Sequence, residues 1–266
     1  MKPTTPIYSI CITNFNEEST LRESLDSILC QIDTSYEVIV VDQNSTDRSR
    51  LILEEYQNTN KIKLYHMRVR NRGMGRQYAF EKSSGYYIIS NMDTDDIFNS
   101  NLKILLEGYR KYAEGKLLWA RNRAADSHWG EGHITVVPRS LLIELGGWHD
   151  LHIWEDWELA SRAAKIKRYC WTDFQLIAKL NPHPERIRAD RKFWYRVISY
   201  REMRRVGKQI FTPDEDVSTF QHLASIFAWC LSMMKRSYRD PFNAYFDCQG
   251  EEYHIQGWDI ESPHYS

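Results

Sequence analysis

Short apolar runs that end in polar residues recur through the first hundred positions and constrain the fold of this chain most strongly. The runs at residues 7–13 and 37–41, and the run that follows Gly85, are rich in β-branched and aromatic residues. Each gives way at once to Asn, Asp or Ser. Continuously apolar runs of this length are typical of strands buried on both faces of a sheet.

The segments between these runs have the spacing of helices. Leu21, Leu25, Ile28 and Leu29 recur at intervals of mostly three and four residues, which predicts a helix to about residue 31 with Asn16 as its N-cap. Alternating strands and helices predict an α/β fold with a doubly wound, mostly parallel sheet and right-handed crossovers. In such sheets ligands bind outside the carboxyl ends of the strands.

The same alternation continues beyond residue 100. Polar, turn-rich residues at 121–132 predict a loop at the site. The remaining patterns predict helices at 102–112, 138–146 and 158–164 and strands at 116–120, 133–137 and 168–171.

Composition limits the class of protein. With 266 residues, 42% hydrophobic content and a net charge of −1, the chain can form one large domain, alone or with an appendage, and is not a charge-driven nucleic-acid binder. Five scattered cysteines without a Cys-x-x-Cys pair indicate neither a disulfide framework nor a zinc site. The N-terminal residues do not resemble a signal peptide, and no apolar stretch is long enough to span a membrane, so we expect a cytoplasmic protein.

Three carboxylates, those of Asp93, Asp95 and Asp96, follow the third apolar run. Like charges this close repel one another, so a positive group is expected among them. Mn²⁺ or Mg²⁺ would suit, because these hard cations prefer carboxylate oxygens and leave positions open for phosphate oxygens. The alternative is a polar turn that opens the next helix, since Asp96, Asn99 and Ser100 are good N-cap residues.

A second acidic cluster lies among three tryptophans at residues 148–157. Glu155 and Asp156 suit either a site or the N-terminus of the following helix. His149 and His152 lie nearby, but they lack a soft fourth ligand and a His-Glu-x-x-His helix, so zinc is not favoured. The tryptophans suit core packing as well as contact with the flat apolar face of a ligand.

The C-terminal region, residues 181–266, differs in composition from the rest. Residues 183–208 contain nine Lys or Arg residues and three acids, which favours an anionic neighbour or a solvated face. Residues 220–234 have the apolar spacing of an amphipathic helix. This helix either packs on the main domain or lies on a membrane surface, and residues 183–236 are the predicted peripheral membrane contact.

Five motifs occur in order along the first 160 residues: Thr13-Asn14-Phe15-Asn16-Glu17, the Val41–Asp47 turn, Asn71-Arg72-Gly73, Asp93-Thr94-Asp95-Asp96 and Glu155-Asp156-Trp157. In this order and at these intervals they resemble the family 2 glycosyltransferases of the GT-A fold. The resemblance covers about residues 7–180. It implies a glycosyltransferase domain at 1–180, with a nucleotide-binding half to about residue 98 and an acceptor half at 99–180.

The resemblance also implies roles for individual residues. Asp95 would hold the metal with Asp93, which would also lie near the ribose, and Asp156 matches the general base of inverting members. Residues expected to contact the nucleotide-sugar donor are Thr13, Asn14, Asn16, Glu17, Asp42, Gln43, Asn44, Arg76, Asp93 and Thr94. Residues expected on the acceptor side are Trp148, Trp154, Glu155 and Trp157.

The implied function is transfer of a sugar, with inversion, from a nucleoside diphosphate to a hydroxyl of a glycan or lipid-linked acceptor. Uridine diphosphate is the default donor nucleotide by resemblance. Gln43 stands where the family commonly has a second Asp, which leaves the nucleotide open. The alternative is a non-catalytic module that binds a nucleotide sugar or a carbohydrate, because a fold does not fix a function. A nucleotidyltransferase is less favoured, since the turn after the first strand lacks glycine and is acidic.

Overall fold

The computed structural model describes residues 5–122, 132–180, 197–203, 226–227, 229–230 and 251–255. Nine strands lie in these ranges: β1 Tyr8–Asn14, β2 Tyr36–Asp42, β3 Lys63–His66, β4 Tyr87–Ser90, β5 Asp96–Phe98, β6 Leu117–Asn122, β7 Gly132–Pro138, β8 Tyr169–Asp173 and β9 Ile177–Leu180. The named α-helices are α1 Leu21–Leu29, α2 Ser49–Asn58, α3 Arg72–Lys82, α4 Leu102–Tyr112, α5 Arg139–Glu144 and α6 Glu155–Lys165. Residues 197–203 are also helical.

Seven strands form the central sheet in the order β3-β2-β1-β4-β7-β6-β8. The first four are mutually parallel, β7 is antiparallel to both neighbours, and β6 pairs with β8 in parallel. Two reversals through β7 bring β6 and β8 back to the direction of β1, so six strands point their carboxyl ends to one rim. The predicted doubly wound, mostly parallel α/β sheet is confirmed.

Helices cover both faces of this sheet, and the strands alternate their side chains between them. On β1, Ile10 and Ile12 belong to the core with α1, α2 and α4, whereas Cys11 belongs to the core with α3, α5 and α6. All three side chains are at most 1% exposed. Burial on both faces explains the continuously apolar strands, because neither face meets water.

A small second sheet, in which β5 and β9 are antiparallel, was not predicted. Asp96 opens β5, and α4 begins only at Leu102 after Asn101. The alternative in which Asp96, Asn99 or Ser100 caps this helix does not hold, because Asn101 is the residue that precedes it and the strand β5 separates the acids from the helix.

Two other helix starts also differ from prediction. Asn16 does not cap α1, which begins at Leu21 after Thr20. Helix α6 begins at Glu155, three residues before the predicted start, so Asp156 lies in its first turn. Acidic side chains in a first turn are favoured by the helix dipole.

Several predictions fall outside the described residues. The loop predicted at 121–132 lies mostly in the gap at 123–131. The predicted basic stretch and amphipathic helix lie mostly in 181–196 and 204–250, outside the described residues. The described residues within 204–250 are 226–227 and 229–230, and they are helical. Within the part of the chain that the structure describes, no helix has the length and apolar character needed to cross a membrane.

Glu37, at the start of β2, joins three segments at the amino end of the sheet. Its buried carboxylate accepts hydrogen bonds from the Ser9 hydroxyl at 2.6 Å and the Ser84 backbone N–H at 2.5 Å, and it pairs with Lys63 at 2.6 Å. Burial raises the pKa of Glu37, but these partners outweigh it and lower the pKa to about 2. The ionised carboxylate therefore stabilises the fold.

Replacing this charge should weaken the fold in a pH-dependent way. We expect Glu37→Gln to lower the free energy of unfolding by about 1–3 kcal/mol at neutral pH. Because the folded pKa lies below the unfolded value, the wild-type advantage is complete above about pH 4.5 and shrinks as the pH falls toward 2. Denaturant unfolding of both proteins across this range measures it. A difference that stays constant with pH would contradict the assignment.

Candidate functional site

Polar side chains at the ends of β1 and β2 form one hydrogen-bonded group. Asn14 pairs in register with Asp42, and its amide donates to the Asp42 carboxylate at 3.0 Å. The Thr94 hydroxyl donates to the Asn14 side-chain oxygen at 3.1 Å. All three residues are buried. Strand pairing thus brings together residues from three of the five motifs that are predicted to contact the donor.

The turns after β1 and β2 are interlocked. Asn16 and Asn44 both have left-handed backbone conformations, with φ of 55° and 64°, which Asn tolerates better than most residues. The Asn16 side-chain oxygen accepts from the Thr46 N–H at 2.7 Å, and the Glu17 N–H donates to the Ser49 hydroxyl at 2.9 Å. Asn44 itself is exposed.

Gln43 is tied to the start of α3. Its amide nitrogen donates to the Asn71 carbonyl at 2.5 Å, and the side chain is buried. A Cβ at Gly75 would lie 2.4 Å from that nitrogen, so the glycine makes room for the amide. An ionised Asp has no hydrogen to donate to a carbonyl. The departure from the family pattern therefore has a structural counterpart in the Gln43–Asn71 bond.

A pocket opens at the rim beside these turns. Among the residues predicted for the donor, its lining includes Thr13, Asn14, Glu17, Gln43, Asp93 and Thr94, and it also includes Phe15, Arg70, Arg72 and Asp95. The Arg70 guanidinium lies over the Phe15 ring, 4.1 Å from its centroid. Neither residue was named as a site residue, although Phe15 lies inside the first motif and Arg70 adjoins the third.

Asp93 and Asp95 line this pocket, and Asp96 follows them in the chain. One carboxylate oxygen from each of the three residues lies within 4.8 Å of the other two. Asp95 and Asp96 are buried, whereas the Asp93 side chain is 48% exposed. Within the described ranges this is the one group of three or more potential metal ligands. Three oxygen donors with one open side fit Mn²⁺ or Mg²⁺ and do not fit a sulfur-preferring metal.

Arg76 lies behind the acids and reaches in two directions. The guanidinium forms a buried ion pair with Glu155 and lies 3.8 Å from the Asp93 carboxylate. Arg76 and Glu155 are 4% and 2% exposed. Burial raises the pKa of Glu155 and the positive charge of Arg76 opposes that rise. Glu155 thus faces Arg76 and not an acceptor, which corrects its predicted role on the acceptor side.

The start of α3 is also fastened to the segment before α6. The Asn71 amide donates to Asp150 at 2.7 Å, and the Gly73 N–H donates to the Leu151 carbonyl at 2.9 Å. A Cβ at Gly73 would lie 2.0 Å from the His149 carbonyl oxygen. The third motif therefore needs glycine because two backbones meet there.

Asp156 has a side-chain partner that was not predicted. His133 lies 3.2 Å from one carboxylate oxygen. Burial raises the pKa of Asp156, but the hydrogen bond and charge of His133, together with the charge of Arg76, outweigh it and lower the pKa below its usual range. The side chain keeps 24% of its surface exposed. Asp156 is therefore ionised at neutral pH and accessible.

The tryptophans divide between the core and the site. Trp148 is 4% exposed and packs edge-on against Phe80, so it offers no free face to a sugar and its predicted acceptor role is corrected. Trp154 and Trp157 are half-buried and lie edge to face at 6.3 Å. His149 pairs with Glu158 at 3.0 Å.

Removing one partner of the buried ion pair should destabilise the protein strongly. We expect Arg76→Met to lower the free energy of unfolding by roughly 3–5 kcal/mol, because Glu155 is left buried and unpaired. Adding Glu155→Met should recover much of that loss. Arg50→Met is the matched control, since its pair with Glu54 is exposed and should contribute under about 1 kcal/mol. Denaturant unfolding measures these losses. Equal losses of unfolding free energy in Arg76→Met and Arg50→Met would contradict this description.

The chain is similar in sequence to known glycosyltransferases. A family model described as Glycosyl transferase family 2 matches residues 9–135. The poly(ribitol-phosphate) beta-N-acetylglucosaminyltransferase TarS of Staphylococcus aureus is 31% identical over 96 residues, which are 35% of this chain and 17% of TarS. The chain thus spans about a sixth of the length of that relative.

Two solved structures share the fold. The mannosyltransferase PcManGT of Pyrobaculum calidifontis, in complex with GDP-Man and Mn²⁺, has a TM-score of 0.60 at 17% identity and covers 86% of this chain and 73% of that chain. Glucosyl-3-phosphoglycerate synthase of Mycobacterium tuberculosis, in complex with Mn²⁺, UDP and phosphoglyceric acid, has a TM-score of 0.58 at 18% identity, covering 80% and 82%. Over residues 9–135 the chain therefore resembles the family 2 glycosyltransferases, and it shares the fold of these two solved structures.

Proposed function

We propose that this protein is an inverting, metal-dependent glycosyltransferase that moves a sugar from a nucleoside diphosphate to an acceptor hydroxyl. The observation that carries the proposal is the Arg76 bridge, which links Asp93 of the acidic cluster to Glu155, the neighbour of Asp156. This bridge sets a candidate leaving-group site next to a candidate base. A transferase needs both groups in one site, whereas a binding module needs only the first.

The donor would lie in the pocket at the ends of β1, β2 and β4. Thr13, Asn14, Glu17 and Gln43 line it and would contact the nucleoside, while Asp93 and Thr94 border its acidic end. Asn16, Asp42 and Asn44 would support the turns from behind. Uridine diphosphate remains the default nucleotide, and the two structural neighbours described above contain UDP in one case and GDP-Man in the other.

Asp93, Asp95 and Asp96 would hold a divalent cation, Mn²⁺ or Mg²⁺, with Asp95 as a principal ligand. When bound, such a cation neutralises the charge that builds on the departing diphosphate. The chain itself contributes a buried guanidinium at Arg76, 3.8 Å from Asp93. That fixed positive charge reduces repulsion among the carboxylates.

Asp156 would act as the general base. An acceptor hydroxyl is a poor nucleophile at neutral pH, and a carboxylate that removes its proton as the new bond forms makes attack possible. Attack opposite the leaving diphosphate inverts the anomeric configuration. His133 would fix the orientation of the Asp156 carboxylate, because it binds the oxygen that is not bonded to the Trp157 N–H.

The acceptor side is proposed to lie at Trp154 and Trp157, whose half-buried rings suit contact with a sugar face. A glycan or a lipid-linked sugar is the proposed acceptor. Peripheral membrane contact through residues 183–236 is part of the same proposal, because positive charge in that stretch would favour anionic lipid. Most of that stretch lies outside the described residues.

The donor site can be tested by thermal shift. We expect UDP, or another nucleoside diphosphate, to raise the melting temperature by several degrees with Mn²⁺ and far less without it, because binding to the folded state stabilises it. Asp95→Asn should abolish the metal-dependent part. Asp33→Asn, an exposed substitution that leaves the cluster intact, should not change it. If no nucleoside diphosphate in a panel gives a metal-dependent shift, the donor site is wrong.

The base can be tested by separating donor binding from transfer. We expect Asp156→Asn to keep the nucleotide-dependent thermal shift and to lose roughly 100-fold or more in transfer rate, because the amide cannot take up the proton. The wild-type product should have inverted anomeric configuration by proton NMR. Full transfer activity in the variant, or a product with retained configuration, would rule out Asp156 as the base.

A further inference from the structure

The helical segment at residues 197–203 contacts the turn that precedes α6. The Glu202 carboxylate accepts hydrogen bonds from the backbone N–H groups of His152 and Ile153, at 2.8 and 2.6 Å. Glu202 is 4% exposed. A carboxylate buried to this extent and bonded to two backbone N–H groups makes charge-assisted bonds, which are stronger than bonds between neutral groups.

The same helical segment holds the next residue of the turn. The Trp154 indole N–H donates to the Ser199 hydroxyl at 2.9 Å. Ser199 and Glu202 are three residues apart, so they lie on one face of the helical segment. Three consecutive residues, 152 to 154, are therefore bonded to two side chains from one turn of helix.

The turn itself has an unusual backbone. Trp154, the residue before α6, has φ of 69° and ψ of 9°, a left-handed conformation that bulky side chains rarely adopt. Such a conformation persists only where surrounding contacts fix it. The Glu202 and Ser199 bonds lie directly at this turn, and α6 starts one residue later.

We propose that Glu202 is a positioning residue that fixes the 152–154 turn and, through it, the place of Asp156 on the first turn of α6. The proposal rests on the proposed function, because Asp156 is the base assigned there. It gives part of the C-terminal region a role in the reaction, since a side chain beyond residue 180 sets the geometry of the acceptor side. The donor pocket at β1 and β2 does not involve Glu202.

Glu202→Gln tests this role, with Glu107→Gln, an exposed residue of α4, as the matched control. The amide keeps the size of the side chain but loses the charge and one of the two acceptors. We expect the transfer kcat to fall about 10- to 100-fold, because small misplacement of a catalytic group has effects of this size. The donor KM and the thermal shift with UDP and Mn²⁺ should stay within about twofold of wild type, and the control should match wild type in all respects. An unchanged kcat, or a donor affinity that falls in proportion to kcat, would overturn the proposal.

Amide hydrogen exchange tests the contact without any activity. Exchange at His152 and Ile153 should be slow in the wild type and in Glu107→Gln and at least tenfold faster for one of the two amides in Glu202→Gln. Equal exchange in all three proteins would refute the stabilising contact between Glu202 and the 152–154 turn, even if the protein is an active transferase. Conversely, absence of transfer in the wild type would refute the proposed function, while the exchange data would still test the contact between Glu202 and the turn.

If Glu202→Gln does not fold, Ser199→Ala is the second variant. Ser199→Ala should lower kcat severalfold at constant donor KM, and a wild-type kcat in this variant would overturn the proposal.

Discussion

The buried ion pair between Arg76 and Glu155 is the contact on which the arrangement of the site depends. It joins α3, which starts near the pocket at the ends of β1 and β2, to α6, which carries Asp156. Both side chains are almost fully buried, so each needs the other to offset the cost of leaving water. The Gly73–Leu151 and Asn71–Asp150 hydrogen bonds fasten the same two parts of the chain. The relative position of the acidic cluster and Asp156 is therefore fixed by the interior of the protein.

Much of this fold was predictable because strand pairing follows local patterns. Continuously apolar runs identified β1, β2 and β4 to within one or two residues, and parallel pairing then required their polar ends to meet at one rim. The Asn14–Asp42 bond is a direct result of that register. Placement of the donor turns and the acidic cluster on one rim therefore needed only the order of strands and helices.

The rest depends on contacts between distant segments, which periodicity does not report. The short strands β5 and β9 are paired across some eighty residues and carry too few residues for a pattern. His133 lies in β7, which was predicted to be a strand. Nothing in the sequence near His133 indicates that its side chain contacts Asp156. Glu155 belongs to the fifth motif and Trp148 to the tryptophan-rich segment before it, and both are buried by partners on α3. The sequence alone does not distinguish a Glu or Trp side chain that faces a ligand from one that faces the core.

Anomalous diffraction at the manganese edge tests most directly whether the acidic cluster and the pocket at the ends of β1 and β2 form one site. Crystals grown with UDP and Mn²⁺ should show one strong anomalous peak within coordination distance of an Asp95 oxygen, with the diphosphate as a further ligand. Asp93 or Asp96 should complete the protein ligands. A diphosphate bound in the pocket with no manganese beside these carboxylates, or manganese bound only elsewhere, would contradict the account.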